Sequence, residues 1–203
     1  DVPCISINQI PADVDTIDGQ HNEAYFAYTF YIRNEGENAV GYDWSLTVNS
    51  ESQHLTDGMW VLVFEDGAMR FYAKADKLTG ASEALPAFDD DSRGYLILPI
   101  REAAPDSDQF QLVRQVNGQS YYRVVPDTFL SDELIVTGTQ TEVQPMEKHK
   151  YTVILWLEGD DPDTTNELIG GHAGVELNYR LAEEQQQIDR QHGWSARWKE
   201  LWD

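Results

Sequence analysis

The chain has 203 residues, of which 41% are hydrophobic and 11% aromatic, and this composition is that of a folded domain and not of a disordered segment. Its formal net charge of −22 excludes nucleic acid and anionic lipid surfaces as partners, because both of them recruit Lys and Arg. The single cysteine excludes an internal disulfide, and a β-sandwich of this length can form one domain.

Strand patterns dominate the first part of the chain. Residues 4–10 form a short apolar run, which predicts a first strand followed by a polar connection. Residues 24–34 carry aromatic and β-branched side chains in both alternating sets, which predicts a central strand covered on both faces. Residues 40–50 alternate after a turn at 34–38, and we expect them to pair back on residues 24–34 as a hairpin.

Two dipeptides predict tight hairpins further along the chain. Asp66-Gly67 and Asn117-Gly118 each separate two apolar runs, as type I′ turns do. Later strands are predicted over residues 95–100, 134–137, 151–157 and 175–181. The spacing of about ten strands predicts an all-β fold, a jelly-roll-like antiparallel β-sandwich that occupies residues 1–181.

The last segment, residues 182–203, breaks the strand pattern and predicts a short C-terminal helical tail. Its large apolar side chains recur at i, i+4, i+7 and i+8, which places them on one helical face: Trp194, Trp198, Leu201 and Trp202. This Trp-rich face either packs against its own sandwich or binds a partner, since Trp is enriched in interface hot spots. Both interpretations stay open.

The loop over residues 158–167 is dense in oxygen ligands. Calcium takes six to eight oxygens, and the candidate ligands are Asp160, Asp161, Asp163, Asn166 and Glu167. The spacing is not that of an EF-hand. The alternative is a solvated loop in which Asp and Thr side chains set turns and cap a short helix. Calcium is the one cofactor that the sequence suggests.

Reaction motifs are missing from the sequence, which has no HExxH pair, no Gly-x-Ser-x-Gly elbow and no glycine-rich phosphate loop. We therefore predict that the protein is not an enzyme. A carbohydrate-binding module is one alternative. Trp60, Tyr72, Tyr121 or Tyr122 could form its ring platform, but core packing is the expected role of each, and one ring of the Tyr121-Tyr122 pair is expected to lie outside. An acid-based hydrolase is a second alternative, because two of the 36 acidic residues could face each other in a cleft.

Two blocks carry a family resemblance. They are AYFAYTFYIRNEGENAVGYDWSLTV at residues 24–48 and EVQPMEKHKYTVILWLEGDDPDTTNELIGGHAGVELNY at residues 142–179. An early strand that ends in Asn-x-Gly, and a late Trp-Leu-Glu-Gly-x-Asp-Pro strand before a Gly-Gly turn, resemble cell-envelope proteins of Gram-positive Clostridia. Those proteins are distantly similar to TasA/camelysin-like surface proteins.

The resemblance implies an exported, extracytoplasmic jelly-roll domain at the cell surface, free or once tethered by an N-terminal anchor that has been removed. The peptidase activity assigned to camelysin-like proteins is not carried over, because the chain has no metalloprotease motif. We expect a surface protein that binds a protein partner or a second copy of itself. The contact is expected through strand addition by residues 4–10 or through the Trp-rich face.

Overall fold

A computed structural model describes residues 3–11, 13–16, 23–83, 108–116 and 118–182 of the chain. In that part the chain forms ten strands: β1 (Tyr25–Arg33), β2 (Val40–Ser52), β3 (Met59–Glu65), β4 (Ala68–Ala73), β5 (Phe110–Val116), β6 (Gln119–Val124), β7 (Asp127–Thr128), β8 (Leu134–Val143), β9 (Lys148–Leu157) and β10 (His172–Leu181). Three short 3-10 helices accompany them, at Ile7–Gln9, Leu55–Asp57 and Asn166–Leu168. The predicted all-β sandwich is confirmed, while its jelly-roll connectivity stays a prediction.

The strands of the described residues form three sheets. The five-stranded sheet has the order β1-β9-β3-β4-β7, the three-stranded sheet has the order β10-β2-β8, and β5 pairs with β6. Both hairpins predicted from the turn dipeptides are confirmed, since β3 pairs with β4 and β5 with β6. Asp66 and Gly67 have φ angles of 48° and 88°, the left-handed region that a type I′ turn requires.

The hairpin expected between residues 24–34 and 40–50 is wrong. β1 pairs with β9 in the five-stranded sheet, whereas β2 pairs with β10 and β8 in the other sheet. The buried side chain of Asn34 donates from its amide nitrogen to the backbone oxygens of Asn38 and Val143, each at 2.8 Å. These bonds hold the crossover from one sheet to the other, so the chain leaves β1 without turning back on it.

The strand expected over residues 4–10 is also wrong. Ile5 alone forms a parallel bridge to Glu158, and the chain then turns into the helix Ile7–Gln9. The Ser6 amide donates to Gln9 Oε1 at 3.0 Å, and this capping contact favours the helical turn over an extended chain. The segment is nevertheless apolar where it meets the protein, because Ile5, Ile7 and Ile10 are buried.

Two hydrophobic cores lie on opposite faces of the five-stranded sheet. One face packs against the three-stranded sheet, and Trp44, Val61, Ile135, Tyr151 and Val153 lie in this first core. The second core contains Ile5, Ile7, Ile10, Val14, Trp60, Phe71 and Trp156. Residues 3–11 and 13–16 are called the N-terminal segment below, and the four buried aliphatic side chains of this segment cover the second face.

Candidate interaction surface

Strand β1 presents a row of aromatic rings on the face that looks toward the three-stranded sheet. Phe26 and Tyr28 are 53% and 55% exposed, although the sequence predicts this strand to be covered on both faces. Their ring centroids lie 6.5 Å apart with planes 16° apart, and the next ring, Phe30, lies 6.1 Å from Tyr28. Phe30 in turn stacks at 5.1 Å on the buried ring of Tyr151. The row therefore begins with the half-buried ring of Phe30 at the first core and continues with the exposed rings of Tyr28 and Phe26.

Strand β10 presents a second apolar row on the same inner side. Leu177 pairs with Leu46 of β2, and Tyr179 pairs with Trp44. Directly paired residues point to one face of a sheet, so Leu177 and Tyr179 point between the sheets as Leu46 and Trp44 do. Leu46 and Trp44 are buried, but Leu177 is half-buried and Tyr179 is 62% exposed. Val175 continues this row and is also half-buried.

The two rows lie at the same side of the sandwich. Gln140 of β8 donates to Glu65 of β3 at 2.7 Å, so β8 crosses over the middle of the five-stranded sheet. The hydroxyls of Tyr42 and Tyr151 lie 2.8 Å apart and join β2 to β9. β10 is the remaining strand of the three-stranded sheet, so it lies over the edge of the five-stranded sheet that β1 forms. Together the two rows form the open flank: Phe26, Tyr28, Val175, Leu177 and Tyr179.

The outward face of β10 is polar and carries both signs of charge. Glu176, Asn178 and Arg180 alternate with the apolar row, and all three are exposed. The Arg180 guanidinium lies 3.5 Å from Asp43 but stays 66% exposed. Within the described residues, β10 pairs with one strand and stands at the edge of its sheet. An edge strand with one apolar and one charged face can accept another strand.

Among the described residues, the structure brings together only two of the predicted carboxylate ligands of calcium. Asp161 and Asp163 come within 4.8 Å of Glu83, a residue that the sequence does not connect with them. Asp160 and Glu167 do not join this cluster. Asp161 is buried, and that burial raises its pKa.

Both oxygens of Asp161 already accept structural hydrogen bonds. Oδ2 accepts from the Trp60 indole at 2.7 Å, and Oδ1 accepts from the Asp163 amide at 2.8 Å. The Glu167 amide donates to Thr165 Oγ1 at 3.3 Å and caps the short helix. These contacts give the turn and cap that the solvated-loop alternative describes, and calcium binding stays a prediction.

Several other expected site residues do not reach this surface. Trp194, Trp198, Leu201 and Trp202 lie outside the described residues, as does the tail at 183–203. Trp60 and Tyr72 are buried in the cores, as core packing predicts, so neither forms a ring platform. Tyr122 is half-buried on β6.

Glu158 is a polar residue that sequence reasoning misses. Its side chain is fully buried, and Oε2 accepts from the Ile7 amide at 2.8 Å and from the Trp156 indole at 2.9 Å. Oε1 accepts from the Asp160 amide at 3.1 Å. Burial raises its pKa from 4.5 to about 7. The carboxylate thus joins the N-terminal segment to the end of β9, next to the backbone bonds of Ile5 with Leu157 and Gly159.

No protein-family model, curated protein or solved structure matches this chain. The resemblance to envelope proteins therefore stays a prediction. None of the helices in the described ranges is long and apolar enough to cross a membrane.

Proposed function

We propose that the protein is a non-catalytic interaction domain that binds an extended segment of another protein chain at the open flank. The observation that carries the proposal is the pair of apolar rows that the two sheets leave half-exposed there. A cell-surface, extracytoplasmic location is part of the proposal and rests on the family resemblance alone.

Strand addition to β10 fits the chemistry of the flank. An incoming strand hydrogen-bonds to the backbone edge, and every second side chain then points to the inner side. Those inner side chains would contact Leu177 and Tyr179 on one side and Tyr28 on the other. Apolar residues at alternate positions of the partner are therefore required, while the remaining positions face solvent.

A synthetic peptide tests this requirement. The probe is an eight-residue peptide of alternating Val and Lys, and its control has the same composition in an order that removes the alternation. We expect the alternating peptide to shift the backbone amide resonances of β10 and to bind more tightly than the control. Since both peptides carry equal charge, attraction to the acidic protein cannot produce that difference.

Two variants locate the binding site. Tyr179→Ser should weaken binding of the alternating peptide roughly tenfold, because an aromatic anchor is removed. Leu130→Ser is the matched control, since Leu130 is 60% exposed and follows β7 at the opposite edge of the five-stranded sheet. Equal binding of the two peptides, or equal loss in both variants, would contradict the proposal.

Glycan binding is a second candidate, and one observation favours it. The exposed rings of Phe26 and Tyr28 lie nearly parallel, with planes 16° apart, and neighbouring aromatic faces are a common support for sugar rings. A glycan array with the wild-type protein and a Tyr28→Ser variant separates the candidates. Glycan binding that Tyr28→Ser abolishes, together with no response to the alternating peptide, would replace strand binding by this function.

A further inference from the structure

We infer that the protein chain bound at the open flank is a second copy of this protein, joined by antiparallel pairing of β10 with its symmetry mate about a twofold axis at Asn178. The inference rests on the proposed function and names the partner. A twofold contact uses the same surface of both copies, so the sequence of β10 must be complementary to itself when read in reverse.

The charged side chains of β10 favour one register of the pairing between the two copies. A twofold axis at Asn178 places Glu176 opposite Arg180 of the second copy, and the pairing occurs twice. An axis at Glu176 or at Arg180 would instead set that residue against its own like-charged mate, which destabilises a strand pair. All three side chains lie on the exposed outward face of β10, and Arg180 stays 66% exposed beside Asp43. The register at Asn178 is therefore the favourable one.

The register at Asn178 also lies within the regular part of β10. A bulge interrupts the pairing with β2 between Gly174 and Val175, and from Val175 to Leu181 the register is continuous. A bulge bends a strand and limits the ladder that can be built on it. Pairing centred on Asn178 therefore lies on the regular side of the bulge, which begins at Val175.

The inner row is complementary about the same axis. Leu177 comes opposite Tyr179 of the second copy, and an aliphatic side chain packs on a ring in both pairs. The two three-stranded sheets become one continuous six-stranded sheet in the order β8-β2-β10-β10-β2-β8. Since β10 lies over the β1 side, the rows of Phe26 and Tyr28 from the two copies approach each other beneath that sheet. Both apolar rows of the open flank are then covered.

Disulfide trapping tests the register in the full chain. Cys4 is first replaced by Ser, because it is exposed and would cross-link on its own. Asn178→Cys should give a covalent dimer under mild oxidation, since directly opposed residues of antiparallel strands lie about 5 Å apart, within disulfide range. Glu176→Cys is the matched control, because its mate lies four residues away along the ladder, at roughly 13 Å. A cross-link through Glu176→Cys and none through Asn178→Cys would overturn the register.

Charge exchange tests the same contact without cysteine. We expect the wild-type protein to be a reversible dimer in sedimentation equilibrium, and Glu176→Arg to weaken the dimer roughly tenfold by placing like charges together in two pairs. The double variant Glu176→Arg/Arg180→Glu should restore part of it, because opposite charges again face each other between the copies while position 180 now faces Asp43 of its own chain. A wild-type protein that stays monomeric at millimolar concentration overturns the second copy as partner. Binding of the alternating peptide by that monomer would leave the proposed function intact, whereas no binding would end both.

Discussion

Glu158 is a buried carboxylate. In the described part of the chain no Lys, Arg or His forms an ion pair with it, and the titratable groups that face it are Asp160 on its own loop and Cys4 on the N-terminal segment. Three N–H donors stabilise the carboxylate, but burial opposes ionisation more strongly and its pKa is about 7. Near neutral pH the folded protein therefore holds this proton more readily than a solvent-exposed glutamate does.

The raised pKa determines how the stabilising contribution of Glu158 changes with pH. The folded state binds this proton more tightly than the unfolded state, in which the pKa returns to about 4.5. The contribution is fully present below pH 4.5 and is lost as the pH rises through 7, up to a limit of about 3 kcal/mol in the free energy of unfolding. Raising the pH through this range therefore lowers the stability of the folded state, because it leaves an ionised carboxylate buried.

We expect Glu158→Gln to remove this pH dependence. The amide oxygen can still accept from Ile7 and Trp156, and the neutral side chain resembles the protonated acid. Urea unfolding of both proteins should show the wild type losing roughly 2 to 3 kcal/mol relative to the variant between pH 5 and pH 8. Other carboxylates titrate equally in the two proteins and cancel in the difference. A constant difference across this range, or titration of the Trp156 indole resonance near pH 4, would show that Glu158 is not perturbed.

At the scale of elements, the pairing of β2 with β8 depends on a close approach. Gly138 pairs with Trp44, and a Cβ atom built on Gly138 would lie 2.4 Å from the Trp44 indole nitrogen. The indole therefore occupies the space that a side chain at position 138 would need. No rotation of the added methyl group can relieve that overlap, so either the ring or the strand must move.

Gly138→Ala should cost about 1 to 3 kcal/mol in the free energy of unfolding, as overpacking of a filled core does. Gly159→Ala is the matched control, because the nearest atom to its Cβ would lie at 3.6 Å, an ordinary contact. Urea unfolding of the two variants measures the difference. Equal stability of both would show that the indole has room to shift.

Some strand pairings could be predicted from the sequence, and others could not. The Asp66-Gly67 hairpin was predictable, because a type I′ turn fixes both the loop and the pairing of the strands beside it. The position of β1 in its sheet was not predictable. Apolar residues in both alternating sets occur in a central strand that is buried on both faces, and they occur equally in a strand whose second face is exposed at a flank. Periodicity identifies the faces of a strand and not its neighbours.

The same limit applies to the sites. Glu158 is one of 36 acidic residues, and its burial depends on the N-terminal segment folding back over a distance of 151 residues in sequence. Asp161 was predictable as part of an acidic loop, but its bond to the Trp60 indole and its approach to Glu83 required the fold. Tyr179 belonged to a predicted strand, yet its exposure follows from β10 standing at a sheet edge.

At the scale of the whole molecule, the net charge of −22 opposes any contact between two copies. Salt shortens the reach of this repulsion from about 30 Å at 0.01 M to about 3 Å at 1 M. The paired Glu176 and Arg180 are in direct contact across the β10 axis, so they are screened much less than charges spread over the two surfaces. Attraction at the flank is therefore short-ranged, and repulsion between the copies is long-ranged.

We consequently expect the dimer to become tighter with salt, with a dissociation constant that falls at least roughly tenfold between 0.02 M and 0.5 M NaCl. Sedimentation equilibrium at a series of salt concentrations measures it. The double variant Glu176→Arg/Arg180→Glu has the same net charge and should show the same slope. Binding of the basic alternating peptide must respond in the opposite direction, because salt screens its attraction to the acidic protein. A dimer that weakens with salt would instead be held by complementary charge between larger surfaces, and the apolar flank would not be its main contact.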